Sequence, residues 1–207
     1  MVTLDSLNLV KIVPNTDNLE TMPESTHLSQ FRLLSRYNSW VNERIYDLAA
    51  SLSEEERQRH LGAFFGSVQG TLNHLLLSDR IWLGRFATST CYTFQSLQSA
   101  KLVFEYQSLG ETLYADFTEL RSGRNETDKV IEEWMHELQP EMLSTPMRYL
   151  NIARKIEREH SLWFALTHFF NHQTHHRSQV TTLLQQLGRD YGVTDFLAMY
   201  ELAKDAV

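Results

Sequence analysis

The sequence predicts an all-α fold, a bundle of four long helices with a long crossover between the second and third helices and a short β-hairpin before the fourth. Two observations predict it. Apolar residues recur every three or four positions over four long stretches, which is typical of amphipathic helices. Only 4 prolines and 8 glycines interrupt the 207 residues, and a chain of that length supports one domain with its own core. Packing such helices together as a bundle buries their apolar faces.

The first long helix is predicted over residues 28–52. Its apolar side chains, among them Phe31, Val41 and Ile45, recur at helical spacing. Ser53 is followed by three glutamates. This pattern is typical of an N-cap with acidic residues in the first turn, so a short second helical piece is predicted to begin there.

The chain before the first helix has a different character. Residues 1–27 contain Pro14 and Pro23 among scattered polar residues, without helical periodicity. We therefore predict an N-terminal extension over residues 1–27 and a helical bundle domain over residues 28–207.

The second and third long helices are predicted over residues 67–86 and 111–138. Gly123 weakens the middle of the third helix, because glycine costs helix stability relative to alanine. Residues 88–110 between the two helices lack helical periodicity. They are predicted to form the long crossover.

Pro140 and Pro146 mark a break after the third helix. The weak alternation over residues 147–156 predicts a short β-hairpin. The fourth long helix is predicted over residues 162–187, and Gly188 follows it at the position where glycine commonly ends a helix.

Charge and composition exclude several classes of partner. The net charge of −7 argues against a nucleic-acid surface or a polybasic membrane anchor. The single cysteine, Cys91, excludes an internal disulfide and a CxxC zinc site. No apolar run approaches the ~20 residues of a membrane span, and the N-terminus lacks the pattern of a signal peptide. We therefore expect a cytoplasmic protein that binds neither nucleic acid nor membrane.

Four of the nine histidines fall in the fourth helix: His168, His172, His175 and His176. At about 100° per residue, His176 projects into the apolar face of this helix and His172 to its edge. His168 and His175 project outward. Because His172 and His176 are four residues apart, their imidazoles can reach one metal ion from the same face.

A third ligand is needed, since protein metal sites use more than two. His74, in the second helix, lies at the shoulder of that helix's apolar face. The sequence therefore predicts a metal site of His74, His172 and His176. The pattern alone also leaves open that these histidines are core or surface residues without a metal.

Two charged residues fall among apolar ones, Asp79 in the second helix and Arg124 in the third. A buried charge is costly unless it is paired. They are predicted either to pair with each other or, for Asp79, to accept an N–H from a ligand histidine. Arg124 or Arg80 is a candidate to hold a substrate carboxylate, and His175 is a further candidate beside the ligands.

Two segments carry a family resemblance. LNHLLLSDRIWL, with the residues before it, and FNHQTHHRSQ resemble the corresponding segments of the DinB family of bacterial proteins. The likeness runs from about residue 31 to residue 197. It implies a bundle of the DinB/YfiT-like type, often dimeric, that binds a divalent metal. By motif the ligands fall on His74, His172 and His176. The family usually has glycine where this chain has Ser178.

Three functions remain as hypotheses. The resemblance implies a metal site, and some relatives in the wider superfamily transfer or isomerise substrates with low-molecular-weight thiols. The first hypothesis is therefore a metal-dependent transferase that acts on a small molecule with such a thiol. The second is a non-catalytic metal-binding or stress-response protein, since many relatives are linked to DNA damage by name alone. The third is a metal-dependent hydrolase. Imidazole ligands suit zinc, nickel, copper or iron, with zinc expected first.

Overall fold

The computed structural model describes residues 26–99, 102, 106, 108–151 and 155–199. This part of the chain is mostly helical, with one small antiparallel sheet. The predicted N-terminal extension lies outside the described residues, apart from its last two positions. The elements, in chain order, are α1 (Thr26–Ala50), α2 (Glu54–Gln58), α3 (Val68–Thr88), α4 (Phe117–Glu137), a 3-10 helix (Pro140–Ser144), β1 (Pro146–Asn151), β2 (Ile156–Ser161) and α5 (Leu162–Gln186).

The long helices pack through their apolar faces. Helix α1 contacts α4 and α5, and α3 contacts the same two helices. One cluster of buried side chains includes Phe86, Trp134 and Phe169, and a second includes Ile45 and Leu184. Burying one large apolar side chain stabilises a fold by about 1.5–3 kcal/mol, so this packing is what fixes α3 against α5. No helix in the described ranges is long and apolar enough to cross a membrane.

The helix ends follow from local sequence. Ser53 caps α2 with a reciprocal capping box to Glu56, as its sequence predicts. Helix α5 ends before Gly188, which has φ 72° in the left-handed region that glycine adopts without strain. These two predicted boundaries are confirmed.

The third long helix begins later than predicted. It starts at Phe117, after an N-cap at Asp116, and residues 111–115 belong to the crossover. Asn73 of α3 holds this part of the crossover, because its side-chain amide bonds both the N–H and the carbonyl of Tyr114 at 2.9 and 3.1 Å. Gly123 is required for close packing: a Cβ there would lie 2.9 Å from Tyr114 Cε2.

The predicted hairpin is present but longer than predicted. Strands β1 and β2 pair antiparallel from Pro146 opposite Ser161 to Asn151 opposite Ile156. The second strand continues to the start of α5, where His160 packs on Phe164, and Tyr149 of the first strand packs on Trp82 of α3.

A buried polar network joins three of the long helices. Arg124 of α4 contacts Asp79 of α3 at 2.5 Å and Asp128 at 2.7 Å. The amides of Asn38 and Asn42, both on α1, donate to Asp128. Of the two alternatives for Asp79 and Arg124, the structure places them in a buried pair. Burial raises the pKa of Asp79, and Arg124 opposes that rise.

Removing Arg124 tests how much this network holds the fold. Arg124→Met leaves two buried carboxylates without their cation, so we expect the free energy of unfolding to fall by about 3–5 kcal/mol. The matched control is Arg121→Met on the same helix, where the ion pair to Asp47 is partly exposed. That change should cost less than about 1 kcal/mol. Urea unfolding of the two variants checks this, and equal losses would contradict it.

Candidate metal centre

Three histidines from two helices meet in the interior. His74 projects from α3, and His172 and His176 project from α5 one turn apart. One ligand atom from each lies within 4.8 Å of the others. His74 and His176 are buried and His172 is half-buried. The structure therefore brings together the three histidines that the sequence predicts as ligands.

Hydrogen bonds fix which nitrogen two of these rings present. The Nδ1–H of His74 donates to the carbonyl oxygen of Leu109 at 2.7 Å, since a carbonyl can only accept. The Nδ1 of His176 lies 2.8 Å from Oε1 of Gln179, an amide oxygen that also accepts. In a neutral ring, a protonated Nδ1 leaves Nε2 with a free lone pair. Both rings thus present Nε2 to the centre of the cluster, as metal-ligating histidines do.

The spacing of the His74 and His176 nitrogens fits a metal ion. The two Nε2 atoms of His74 and His176 lie 3.2 Å apart. Nitrogens that bind one tetrahedral zinc ion at about 2.0–2.1 Å lie about 3.3 Å from each other. Two lone pairs facing each other at this distance repel, and a cation between them satisfies both. Three neutral nitrogen donors suit a divalent transition metal.

Burial keeps the three rings neutral. Burial lowers the pKa of His74 to about 4. Burial first, and then the neighbouring His176, lower the pKa of His172 to about 3. Burial also lowers the pKa of His176. Because a metal competes with protons for these nitrogens, low pKa values leave the ligands available at neutral pH.

A tight turn before α3 covers the cluster. Phe65 stacks on the ring of His74, with ring centroids 3.7 Å apart and planes inclined by 15°. Gly62 and Gly66, with φ of 83° and 77°, allow the turn that places this phenylalanine. Ser78 Oγ lies 3.4 Å from His74 Nε2. Phe65 and Ser78 were not predicted from the sequence, although Ser78 lies one turn after His74.

Of the other two histidines of α5, His175 points outward as its helical phase predicts, whereas His168 lines the cavity beside His172. His175 is exposed, and its Nε2 lies 3.3 Å from the amide nitrogen of Gln179. Gln179 thus links His175 to His176. His168 is also exposed and packs against Trp82, with ring centroids 4.9 Å apart.

Asp79, Arg124 and Arg80 do not contact the cluster. Among the described hydrogen bonds, Asp79 joins Arg124 rather than a histidine. Arg80 is bonded to Thr127 and Tyr114. Neither arginine lines the cavity beside His172, so the structure gives no support to a substrate contact at either.

A cavity of about 390 Å³ opens beside His172, within the usual size of small-molecule sites. Ser78, Trp82 and Arg85 line it from α3, and the hairpin contributes Tyr149. A larger cavity of about 1080 Å³ is lined by none of the three histidines. The smaller cavity is therefore the one placed to bring a ligand to the cluster.

Substitution of neighbouring histidines tests the ligand set. His176→Ala removes one of three nitrogens, so we expect it to lose the metal. His175→Ala is the matched control, since this exposed neighbour should leave the metal content at about one equivalent. Mass spectrometry on protein purified without chelators measures both. Loss of metal in the control alone would show that the other face of α5 holds it.

Comparison with known proteins identifies the family of this chain. The sequence model of the DinB family matches residues 22–206. The chain is also similar to Protein DinB of Bacillus subtilis (strain 168), with 28% identity over 179 residues, 82% of this chain and 96% of that protein. No solved structure matches it. The family match spans His74, His172 and His176 together with the helices that carry them, and the chain belongs to the DinB family.

Proposed function

We propose that this protein binds a divalent transition metal through His74, His172 and His176 and is a metal-dependent transferase that acts on a small molecule with a low-molecular-weight thiol. The observation that carries the proposal is the three-histidine cluster together with a ligand-sized cavity that one of its members, His172, lines. A site with three protein ligands and room for a fourth is typical of catalytic rather than structural metal sites.

A divalent ion held by neutral imidazoles keeps its full charge and makes a coordinated thiol or water more acidic. In the proposed reaction the thiol loses its proton, its sulfur bonds to an electrophilic carbon, and the leaving group departs with the bonding electrons. The chain holds the ligand rings through Leu109 and Gln179. Phe65 covers His74, which limits the access of water from that side.

The surroundings of the cluster favour a thiol over water as the nucleophile. A metal-dependent hydrolase commonly pairs its metal-bound water with a carboxylate general base within hydrogen-bond reach. The described residues that line the cavity include two histidines that are not predicted ligands, His160 and His168, but no aspartate or glutamate. The carboxylate of Asp79, in the same helix as His74, is buried and held by Arg124. A thiol requires no such base once its pKa has been lowered by the metal.

Two alternatives are kept. A non-catalytic metal-binding or stress-response protein would hold the same metal without turnover. A hydrolase would cleave generic esters without thiol. Zinc is the proposed metal, with nickel or iron as alternatives, because imidazole suits all three.

The proposal also covers the helical architecture, the assembly and the location of the protein. We propose that α1, α3, α4 and α5 form a four-helix bundle of the DinB/YfiT-like type, because α1 and α3 each contact both α4 and α5. We further propose a cytoplasmic homodimer whose partners are small molecules rather than nucleic acid or membrane. The net charge of −7 supports the exclusion of nucleic acid.

Cobalt substitution tests the thiol hypothesis. We expect 2-mercaptoethanol to shift the visible spectrum of the cobalt-loaded protein, because sulfur enters the metal's coordination sphere. His175→Ala should give the same shift and His176→Ala should give no cobalt spectrum. Thiol-dependent consumption of an electrophile such as 1-chloro-2,4-dinitrobenzene should accompany the shift. An unchanged spectrum with thiol-independent cleavage of 4-nitrophenyl acetate would favour the hydrolase. The absence of both activities would favour the non-catalytic protein.

A further inference from the structure

The cavity beside His172 carries one permanent charge. Among the described residues that line it, Arg85 is the only lysine or arginine, and none is acidic. No ion pair in the described part of the chain includes Arg85. A cavity with an unopposed cation favours an anionic ligand, because a low-dielectric wall strengthens the attraction.

Aromatic rings hold the guanidinium of Arg85 in place. Its central carbon lies 4.8 Å from the ring centre of Trp82 and 4.7 Å from that of Tyr149. The two ring centres lie only 5.4 Å apart, so both rings contact the guanidinium from one side and leave its other side free of these aromatic contacts. A guanidinium can donate two parallel hydrogen bonds to the two oxygens of a carboxylate.

The remaining walls suit a flat ligand. Trp82 lies 4.9 Å from His168 and 5.4 Å from Tyr149 between ring centroids. His160 of β2 and Phe164 of α5 pack at 4.9 Å on the side closed by the hairpin. Aromatic walls favour stacking or edge contacts with an aromatic ligand. The hairpin thus supplies Tyr149 and His160 to a cavity that reaches His172.

We propose that this cavity binds an aromatic carboxylate, with the carboxylate on Arg85, the ring among the aromatic walls and the other end toward His172. The proposal rests on the proposed function for the cavity's role as the substrate site. Binding of the carboxylate depends on Arg85 alone and needs no metal. The carboxylate belongs either to the substrate or to the thiol, and both have the same contact with Arg85.

Binding to metal-free protein tests the proposal separately from the metal. Calorimetry with benzoate, benzamide and benzylamine compares ligands of one shape and three charges. We expect benzoate to bind at least about tenfold more tightly than benzamide, since hydrogen bonds to a charged group are worth that much. Benzylamine should not bind. Equal binding of benzoate and benzamide, or no binding of benzoate, would overturn the proposal whatever the state of the metal site.

Variants locate the contact. Arg85→Gln should remove the preference for benzoate over benzamide, and Arg85→Lys should retain part of it without the two parallel bonds. Arg36→Gln is the matched control, an exposed arginine on α1 that does not line the cavity. Thermal unfolding checks that each variant is folded. If Arg85→Gln is folded and keeps the preference, the carboxylate binds elsewhere and the proposal fails.

A final pair of ligands assigns the source of the carboxylate. In the metal-loaded protein, 4-mercaptobenzoate carries both the thiol and the carboxylate, whereas thiophenol carries the thiol alone. Tighter binding of 4-mercaptobenzoate that requires Arg85 supports a carboxylate on the thiol. If 4-mercaptobenzoate and thiophenol bind equally while benzoate still requires Arg85, the carboxylate belongs to the other substrate. Equal binding of benzoate, 4-mercaptobenzoate and thiophenol overturns the contact with Arg85.

Discussion

The approach of two imidazole nitrogens is the constraint on which the candidate metal centre depends. His74 and His176 are held with Nδ1 protonated by Leu109 and Gln179, so their bare Nε2 atoms face each other at 3.2 Å. Such an arrangement is unfavourable for two neutral acceptors and favourable for a cation bound to both. Both rings are positioned by the packing of α3 against α5 in the surrounding core. The stability of the helix packing is therefore what maintains the donor geometry.

Much of the fold was predictable because it depends on local patterns. Helical periodicity located α1, α3 and α5 within a few residues, and capping chemistry located Ser53 and Gly188. The predicted start of α4 was wrong, because the apolar pattern continues into residues of the crossover. The side chain of Asn73 binds this part of the crossover. That contact joins positions 41 residues apart, and no local pattern reports it. The length of β2 was also underestimated, since its register is set by pairing with β1.

The candidate metal site, like the fold, was predictable where it depends on local patterns. Histidine spacing and helical phase selected the three residues that the structure brings together, and placed His175 outside. The pairing of Asp79 with Arg124 was one of two predicted alternatives, because a buried charge demands a partner. Residues that act through tertiary contacts were missed: the carbonyl of Leu109 and the ring of Phe65 come from connections without periodicity. Arg85 was missed because its surroundings depend on a hairpin more than 60 residues away, as the contact to Tyr149 requires.

X-ray absorption at the zinc edge of the zinc-loaded protein tests the central claim most directly, because it reports the atoms bound to the metal. We predict three imidazole nitrogens at about 2.0–2.1 Å and a fourth light atom, which sulfur at about 2.3 Å replaces when a thiol is added. His74→Ala should abolish this spectrum or reduce the imidazole signal. A zinc ion bound mainly by oxygen, or a spectrum that is unchanged in His74→Ala, would contradict the claim that these three histidines form the metal centre.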